Sequence, residues 1–168
     1  MARDAEAIAA SESAARIALA LGHESLDYGS FLNEAKTAAE DHQLDYLEFL
    51  DDQGTIISSA QWAARFGYKD APLPRLSTLD GQPVFLKREE LPDGAALGIF
   101  AVRKVKAGEQ AMYVAAGKKV DRSFLAGMEL PTGMRALLYE NLAPGFSPEF
   151  LMDPSGKTKE PGRLAPLV

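Results

Sequence analysis

The sequence predicts an α+β domain in which a long N-terminal helix and a second helix pack on a five-stranded antiparallel sheet. Two observations predict this fold. Apolar residues recur with the helical period of about 3.6 as far as residue 42 and with the strand period of 2 beyond it. The extended segments are joined by short connectors, most of them containing Asp or Gly, which suit antiparallel neighbours. We predict a single domain over 1–168, with a helical part at 1–42, a central sheet at 44–120 and a C-terminal extension at 121–168.

Helix formers dominate the first forty residues. The segment Ala2–Leu21 consists largely of Ala, Glu, Arg, Leu and Ile and predicts one long helix that ends at Gly22-His23. Its stripe of small side chains favours close packing against the sheet, and also suits a homodimer through this helix. A second helix is predicted over Ser30–Asp41, with Ser30 as its N-cap.

The rest of the chain predicts strands with a helical interruption. The predicted strands are Tyr46–Leu50, Thr55–Ser58, Val84–Arg88, Ala95–Val105 and Gln110–Ala116, the first two forming a hairpin around Asp51-Asp52-Gln53-Gly54. A short helix at Ala60–Phe66 and a Pro-containing loop at Lys69–Gln82 separate the hairpin from the later strands. After the sheet, we predict a helix over Ser123–Met128 capped by Asp121, and a further strand or buried segment over Met134–Glu140.

The order of these elements resembles a known family of sensors. Together with the hairpin Leu47-Glu48-Phe49-Leu50-Asp51-Asp52-Gln53-Gly54-Thr55-Ile56-Ile57-Ser58-Ser59, it resembles the PAS-like extracytoplasmic domains called PDC or Cache domains. The run Ala60–Tyr68 stands where that family usually has a short helix. The runs Asp121–Leu125 and Pro131–Tyr139 are similar to the sensor region of NtrY-like histidine kinases. The resemblance covers residues 2–140.

This resemblance implies a role in signalling across a membrane. It implies a PAS-like sheet, a periplasmic or extracellular location, a first helix continuous with a membrane span, and a signal passed to a cytoplasmic kinase, here a histidine kinase, or to another output. The chain begins inside helical sequence and ends on Leu164-Ala165-Pro166-Leu167-Val168, so we expect a segment cut from between two membrane spans of its parent. The extension at 121–168 is then expected to lead towards the membrane.

Composition and motifs argue against several other functions. A formal charge of -6 provides no basic surface for nucleic acid. Cysteine is absent, and neither His23 nor His42 has a second ligand at the spacing of a metal-binding helix. The carboxylates of Asp51-Asp52 are explained by their turn, and no phosphate-binding loop or catalytic-serine motif occurs. We therefore predict no catalytic residue, metal or cofactor.

A ligand site is predicted over one face of the central strands. By alternation, Phe85 and Lys87 share a face, and register determines whether Arg103 and Tyr113 join them. Cations beside aromatic rings suit a small-molecule ligand such as a carboxylate. The candidate residues are Trp62, Tyr68, Phe85, Lys87, Arg103 and Tyr113.

Each of these residues also has a purely structural interpretation. The basic residues Lys87, Arg88, Arg103 and Lys104 could form the solvated side of an antiparallel sheet. The aromatic residues Trp62, Phe66 and Tyr68 could serve core or lid packing. The sequence lacks a recognisable cluster of Arg, Tyr and Asp ligand contacts typical of amino-acid-binding Cache domains, so it does not predict an amino-acid ligand.

The leading functional prediction is a signal-sensing domain that binds a small molecule and transmits the signal through its N-terminal helix. The alternative is a scaffold or dimerisation module of a membrane receptor that binds no small molecule. A small hydrolase is a third class, for which no residue pattern provides support. A library of small molecules tested for thermal stabilisation separates the first two classes.

Overall fold

The computed structural model describes residues 1–22, 27–69, 76–140, 144–158 and 161–164. Its helices are α1 (Ala2–Ala9), α2 (Glu12–Ala20), α3 (Glu34–Asp41), α4 (Leu76–Leu79), α5 (Arg122–Ala126) and α6 (Pro161–Leu164). Its strands are β1 (Tyr46–Asp51), β2 (Ile56–Ser59), β3 (Phe85–Leu91), β4 (Gly94–Ala107), β5 (Gln110–Lys119), β6 (Leu138–Tyr139), β7 (Leu151–Asp153) and β8 (Gly156–Lys157). Short 3-10 helices lie at Tyr28–Phe31, Ala63–Arg65 and Pro148–Phe150.

The predicted five-stranded antiparallel sheet is confirmed. Its strand order is β2-β1-β5-β4-β3, which makes β2 and β3 the edge strands. The hairpin turn forms as its residues predict: Asp51 Oδ1 accepts hydrogen bonds from the backbone N–H of Gln53 at 2.9 Å and of Thr55 at 2.7 Å, and Gly54 takes a φ of 78°. The carboxylate of Asp51 is therefore used by its own turn.

A layer of helices covers one face of this sheet. Helices α1 and α2 pack on β4 and β5, while α3 packs on β1 and β2. Between them lies an apolar core, to which the sheet contributes Leu47, Phe49, Ile57, Ala101, Val105, Met112, Val114 and Ala116. Burial of this apolar surface is the main stabilising contribution available to the fold.

The predicted single N-terminal helix is wrong in one respect, because the structure divides it. Helix α1 ends at Ala9, and α2 begins after Ser11, whose extended backbone and side chain cap it. The Ser11 hydroxyl accepts a hydrogen bond from the backbone N–H of Ala14 at 3.1 Å. At a helix N-terminus a serine side chain accepts a hydrogen bond from a backbone N–H that has no helical partner, whereas inside a helix those N–H groups are already bonded. The helix therefore breaks at Ser11. Both halves still lie on the sheet.

The second predicted helix also begins later than expected. Residues Tyr28–Phe31 form a 3-10 turn capped by Asp27, and the α-helix proper starts at Glu34. Ser30 is therefore no N-cap; its hydroxyl donates to Asp27 Oδ2. The cap of α3 comes instead from β2, because Ser58 Oγ accepts from the backbone N–H of Ala35 at 3.1 Å.

The C-terminal extension forms a small second sheet in the order β6-β7-β8. Of the predicted segment Met134–Glu140, only Leu138–Tyr139 is strand. Arg135 pairs with Asp153 at 2.7 Å, and the hydroxyl of Ser155, followed by its backbone N–H and by Arg135, lowers the pKa of Asp153. The Asp121 cap of α5 is present as predicted.

Two predicted features fall partly outside the described residues. They are the helix end at Gly22-His23 and the loop at Lys69–Gln82, of which Leu76–Leu79 is helical. The predicted helix over Ala60–Phe66 is reduced to the 3-10 turn Ala63–Arg65. None of the helices in the described ranges combines the length and apolar character that crossing a bilayer requires.

Candidate functional site

The face of the sheet opposite the helices is strongly polar at its centre. Strand register places one set of side chains on it, which we call the charged face: Tyr46, Glu48, Phe85, Lys87, Glu89, Phe100 and Tyr113. Alternation along β1 is the simplest example, since Leu47 and Phe49 point to the helices and Glu48 points away.

Three charged side chains of this face form a buried ionic cluster. Lys87 Nζ lies 2.6 Å from Glu89 Oε2 and 3.7 Å from Glu48 Oε2. The lysine side chain is 2% exposed, and those of the two glutamates are 0% exposed. Burying charges is costly even when they are paired, so this cluster adds little to stability and requires another explanation.

A polar turn closes one side of the cluster. Gln61 Nε2 donates to Glu89 Oε1 at 3.1 Å, while Gln61 Oε1 accepts from the backbone N–H of Leu47. Arg65, in the 3-10 turn, places its guanidinium 3.6 Å from the same Glu89 oxygen. The formal charges of the two glutamates and the two cations therefore balance, and Glu89 links β3 to the segment after β2.

An aromatic surface lies beneath the lysine. Lys87 Nζ is 4.9 Å from the centroid of the Phe100 ring, which stacks on Tyr46 at 5.3 Å and Phe85 at 6.3 Å. The Phe100 ring has room because Gly117 lies beside it: a Cβ at that position would stand 2.6 Å from the ring. A Cβ at Gly98 would likewise stand too close to the same ring and to Tyr46.

Tyr46 is a buried hydroxyl within this surface. The residue is 2% exposed, and its Oη has no hydrogen-bond partner within the described ranges. Burial, followed by the negative charges of Asp45 and Glu89, raises the pKa of Tyr46 to about 12. The phenol is therefore neutral at physiological pH and offers both a donor and an acceptor to this face.

The structure brings three of the six predicted site residues to one face. Phe85 and Lys87 both contact Phe100, and Tyr113 is buried beside Val102, in a cluster against which Phe85 also packs. The interpretation of Lys87 as part of a solvated surface is wrong, because neighbouring carboxylates allow its burial. Arg88, 54% exposed, does fit that interpretation.

The other three predicted residues lie elsewhere. Arg103 lies opposite Val114 in the β4–β5 register, and Val114 belongs to the helix-facing core. Its guanidinium donates to the backbone carbonyl of Gln82 at 2.9 Å, so Arg103 does not join Lys87. Tyr68 is 68% exposed beyond β2. Trp62 touches the site indirectly, since its ring lies 5.6 Å from the Arg65 guanidinium.

Sequence reasoning missed four polar residues of the site: Glu48, Gln61, Arg65 and Glu89. Two signals could have found the charged ones. Glu48 interrupts an apolar strand, and Lys87 and Glu89 are two residues apart, which puts both on one face of β3. Their meeting with Glu48 depends on the register of the strands between them.

A groove lies along the edge strand β3, beside the cluster. It has a volume of about 300 Å³ and is lined by Leu79, Phe85, Leu86, Lys87, Arg88 and Glu90. Within the described part of the chain, no group of three or more His, Asp or Glu side chains is arranged to hold a metal ion. The residues of this site can recognise a small molecule through ionic and aromatic contacts.

Comparison with known proteins supports the fold. No protein-family model matches the sequence, and no curated protein matches it. Among solved structures, the chain is similar to the sensor domain of the histidine kinase DctB from V. cholerae, with a TM-score of 0.53 and 16% sequence identity. The similarity covers 73% of this chain and 48% of that one, so the chain spans about half the length of that sensor domain. The likeness shows an α+β fold matching a PAS-like sensor domain.

Proposed function

We propose that this chain is a signal-sensing domain on the periplasmic or extracellular side of a membrane-anchored histidine kinase, and that it binds a small molecule over the charged face. One observation carries the proposal: a PAS-like sheet keeps a buried, charge-balanced cluster on the face that its helix layer does not occupy. Buried ionic groups concentrate at functional sites, because their burial is hard to explain by stability alone. The likeness to a histidine kinase sensor domain supports the same role.

The arrangement provides a route from ligand to helix. Strands β4 and β5 lie between the charged face and helices α1 and α2, so a change in how Phe100 or Tyr113 packs acts on the layer that carries the N-terminal helices. The ligand must prefer one packing over the other, and a difference of about 1 to 3 kcal/mol is enough to bias an output. An NtrY-like parent and a membrane span before α1 belong to this proposal.

A carboxylate ligand stays a prediction from the sequence. Arg103 cannot assist it, and Lys87 already contacts two carboxylates. An incoming carboxylate must therefore displace Glu89 from Lys87 or from Arg65.

A thermal-shift screen of carboxylates, amines and neutral metabolites tests the proposal. A ligand should raise the unfolding midpoint (Tm) of the wild-type chain by mass action. Glu48→Gln should weaken that shift at least tenfold in ligand concentration, since Glu48 lies in the cluster, while Arg103→Ala, on the opposite face, should keep it. A broad library that shifts nothing would contradict small-molecule sensing.

The second candidate is a scaffold or dimerisation module. The observation that favours it is Leu19 of α2, an apolar side chain 57% exposed on the helix layer. Sedimentation of the wild-type chain beside Leu19→Glu tests it. A dimer lost in the variant, with no ligand found, supports the scaffold, and a monomeric wild type removes it.

A further inference from the structure

The surroundings of the Lys87 ammonium form a complete site for a primary amine. Two carboxylates approach it, from Glu89 at 2.6 Å and Glu48 at 3.7 Å, and the Phe100 ring lies 4.9 Å away. Carboxylates beside an aromatic face are the groups with which proteins recognise ammonium ligands. In this structure the ammonium is the chain's own.

The lysine enters this site from the rim of the sheet. It belongs to the edge strand β3, and its neighbour Leu86 is 64% exposed on the opposite side of that strand. The groove of about 300 Å³ beside β3 includes Lys87 in its lining, so open space borders this residue at the edge of the sheet. Withdrawal of its four-carbon side chain towards that space would leave the pairing of the central strands β1, β5 and β4 intact.

We propose that Lys87 is a tethered occupant of an organic ammonium site formed by Glu48, Glu89 and Phe100, and that a ligand amine binds by taking its place. This inference rests on the proposed sensor function and names its ligand class. Exchange of one ammonium for another keeps the buried charge unchanged, whereas an anion adds charge to a cluster whose described side chains, two glutamates and two cations, already balance. The displaced Lys87 would be released at the edge of β3, so occupancy by ligand and by lysine are two distinct states of the sheet.

Chemical rescue tests the site directly. Lys87→Ala removes the propylammonium part of the side chain, and n-propylammonium chloride supplies a close replacement. We expect n-propylammonium to raise the Tm of Lys87→Ala in a saturable manner, by about 5 to 10 °C at roughly 100 times its dissociation constant. The wild-type chain should need at least tenfold more amine for the same shift, because its own lysine competes.

Matched controls separate rescue from general salt effects. Lys106→Ala removes an exposed lysine of β4 and should respond no more than wild type. The neutral n-propanol should not replace the amine, and Glu89→Gln added to Lys87→Ala should abolish the shift. Equal responses of Lys87→Ala and Lys106→Ala to n-propylammonium would overturn the proposal.

A second variant covers the case in which Lys87→Ala does not fold. Lys87→Met has a side chain that is shorter by the terminal nitrogen alone and leaves the ammonium position empty, so ammonium chloride should stabilise it; no stabilisation of folded Lys87→Met overturns the site. If rescue fails while a compound without an amine stabilises the wild type, the ammonium site is wrong and the sensor function stands. If no compound stabilises any variant or the wild type, both proposals fall.

Discussion

The two faces of the five-stranded sheet are made by the same strands, and both bury apolar side chains, yet the charged face also buries an ionic cluster. On β1, Leu47 and Phe49 are 0% exposed against the helices, and Glu48 between them is 0% exposed on the charged face. Burial of the apolar pair stabilises the fold by roughly 1.5 to 3 kcal/mol for each side chain. Burial of the glutamate requires cations to offset its desolvation.

This contrast separates what holds the fold from what is available for binding. The helix face depends on apolar area, which tolerates exchanges of similar volume. The charged face depends on a few mutually dependent groups, so its members cannot be replaced one at a time. Each variant below tests whether that division is real.

The largest effect is expected from Glu89→Ala, which removes the carboxylate that Lys87, Arg65 and Gln61 share. Leaving buried cations with less compensation should lower the free energy of unfolding by about 3 to 5 kcal/mol. Urea denaturation measures the change. The neighbouring Glu90→Ala provides the control, because Glu90 is 53% exposed and pairs only at the surface with Arg88. Glu90→Ala should lower the free energy of unfolding by less than about 1 kcal/mol. Equal losses for the two variants would show that the cluster is not tightly coupled.

The next effect concerns the space under the aromatic ring. Gly117→Ala would place a Cβ 2.6 Å from Phe100, and the ring must move to accept it. Overpacking of this kind typically costs about 1 to 3 kcal/mol. Combination with Phe100→Leu should recover part of the loss in a double-mutant cycle. Gly127→Ala, whose Cβ would find only ordinary contacts at 3.6 Å, should change the unfolding midpoint little. If the effects of Gly117→Ala and Phe100→Leu simply added in the double mutant, Gly117 would not interact with the ring.

The comparison of faces also explains what the sequence could and could not predict. The strands were predictable because alternation and the Asp51 turn are local signals. The face of Arg103 was not, because it depends on register: β3 and β4 pair Phe85 with Phe100, so even-numbered residues of β4 share the face of odd-numbered residues of β3. The burial of Glu48 depends in the same way on Lys87 from a distant strand. The break at Ser11 was not predictable, because a serine can either cap a helix or lie inside one, and composition does not decide between the two.

A smaller effect is expected on the helix face, where Ser58 is a rare polar contact. Its hydroxyl caps α3 through the N–H of Ala35 and donates to the carbonyl of Leu32. Ser58→Ala should lower the free energy of unfolding by about 1 kcal/mol, as for a lost N-cap. Asn33→Ala is the control, since Asn33 occupies the N-cap position without a side-chain cap bond. If Asn33→Ala costs more than Ser58→Ala in urea unfolding, α3 is not capped from β2.

The smallest effect at neutral pH is expected from Tyr46→Phe, which removes a buried hydroxyl without a hydrogen-bond partner among the described residues. Stability at pH 7 should change by no more than about 0.5 kcal/mol. At high pH the two chains should diverge. The folded-state pKa of about 12 lies above the ordinary tyrosine value of 10.0, so the protonated phenol contributes stability that is complete below pH 10 and is lost as pH rises towards 12. Tyr46→Phe cannot lose that contribution, so between pH 8 and pH 11 its stability should fall by about 1 kcal/mol less than that of wild type. Tyr68→Phe removes a phenol that is 68% exposed and should follow the wild-type curve. If the curve of Tyr46→Phe ran parallel to wild type instead, the Tyr46 hydroxyl would be solvated and not buried.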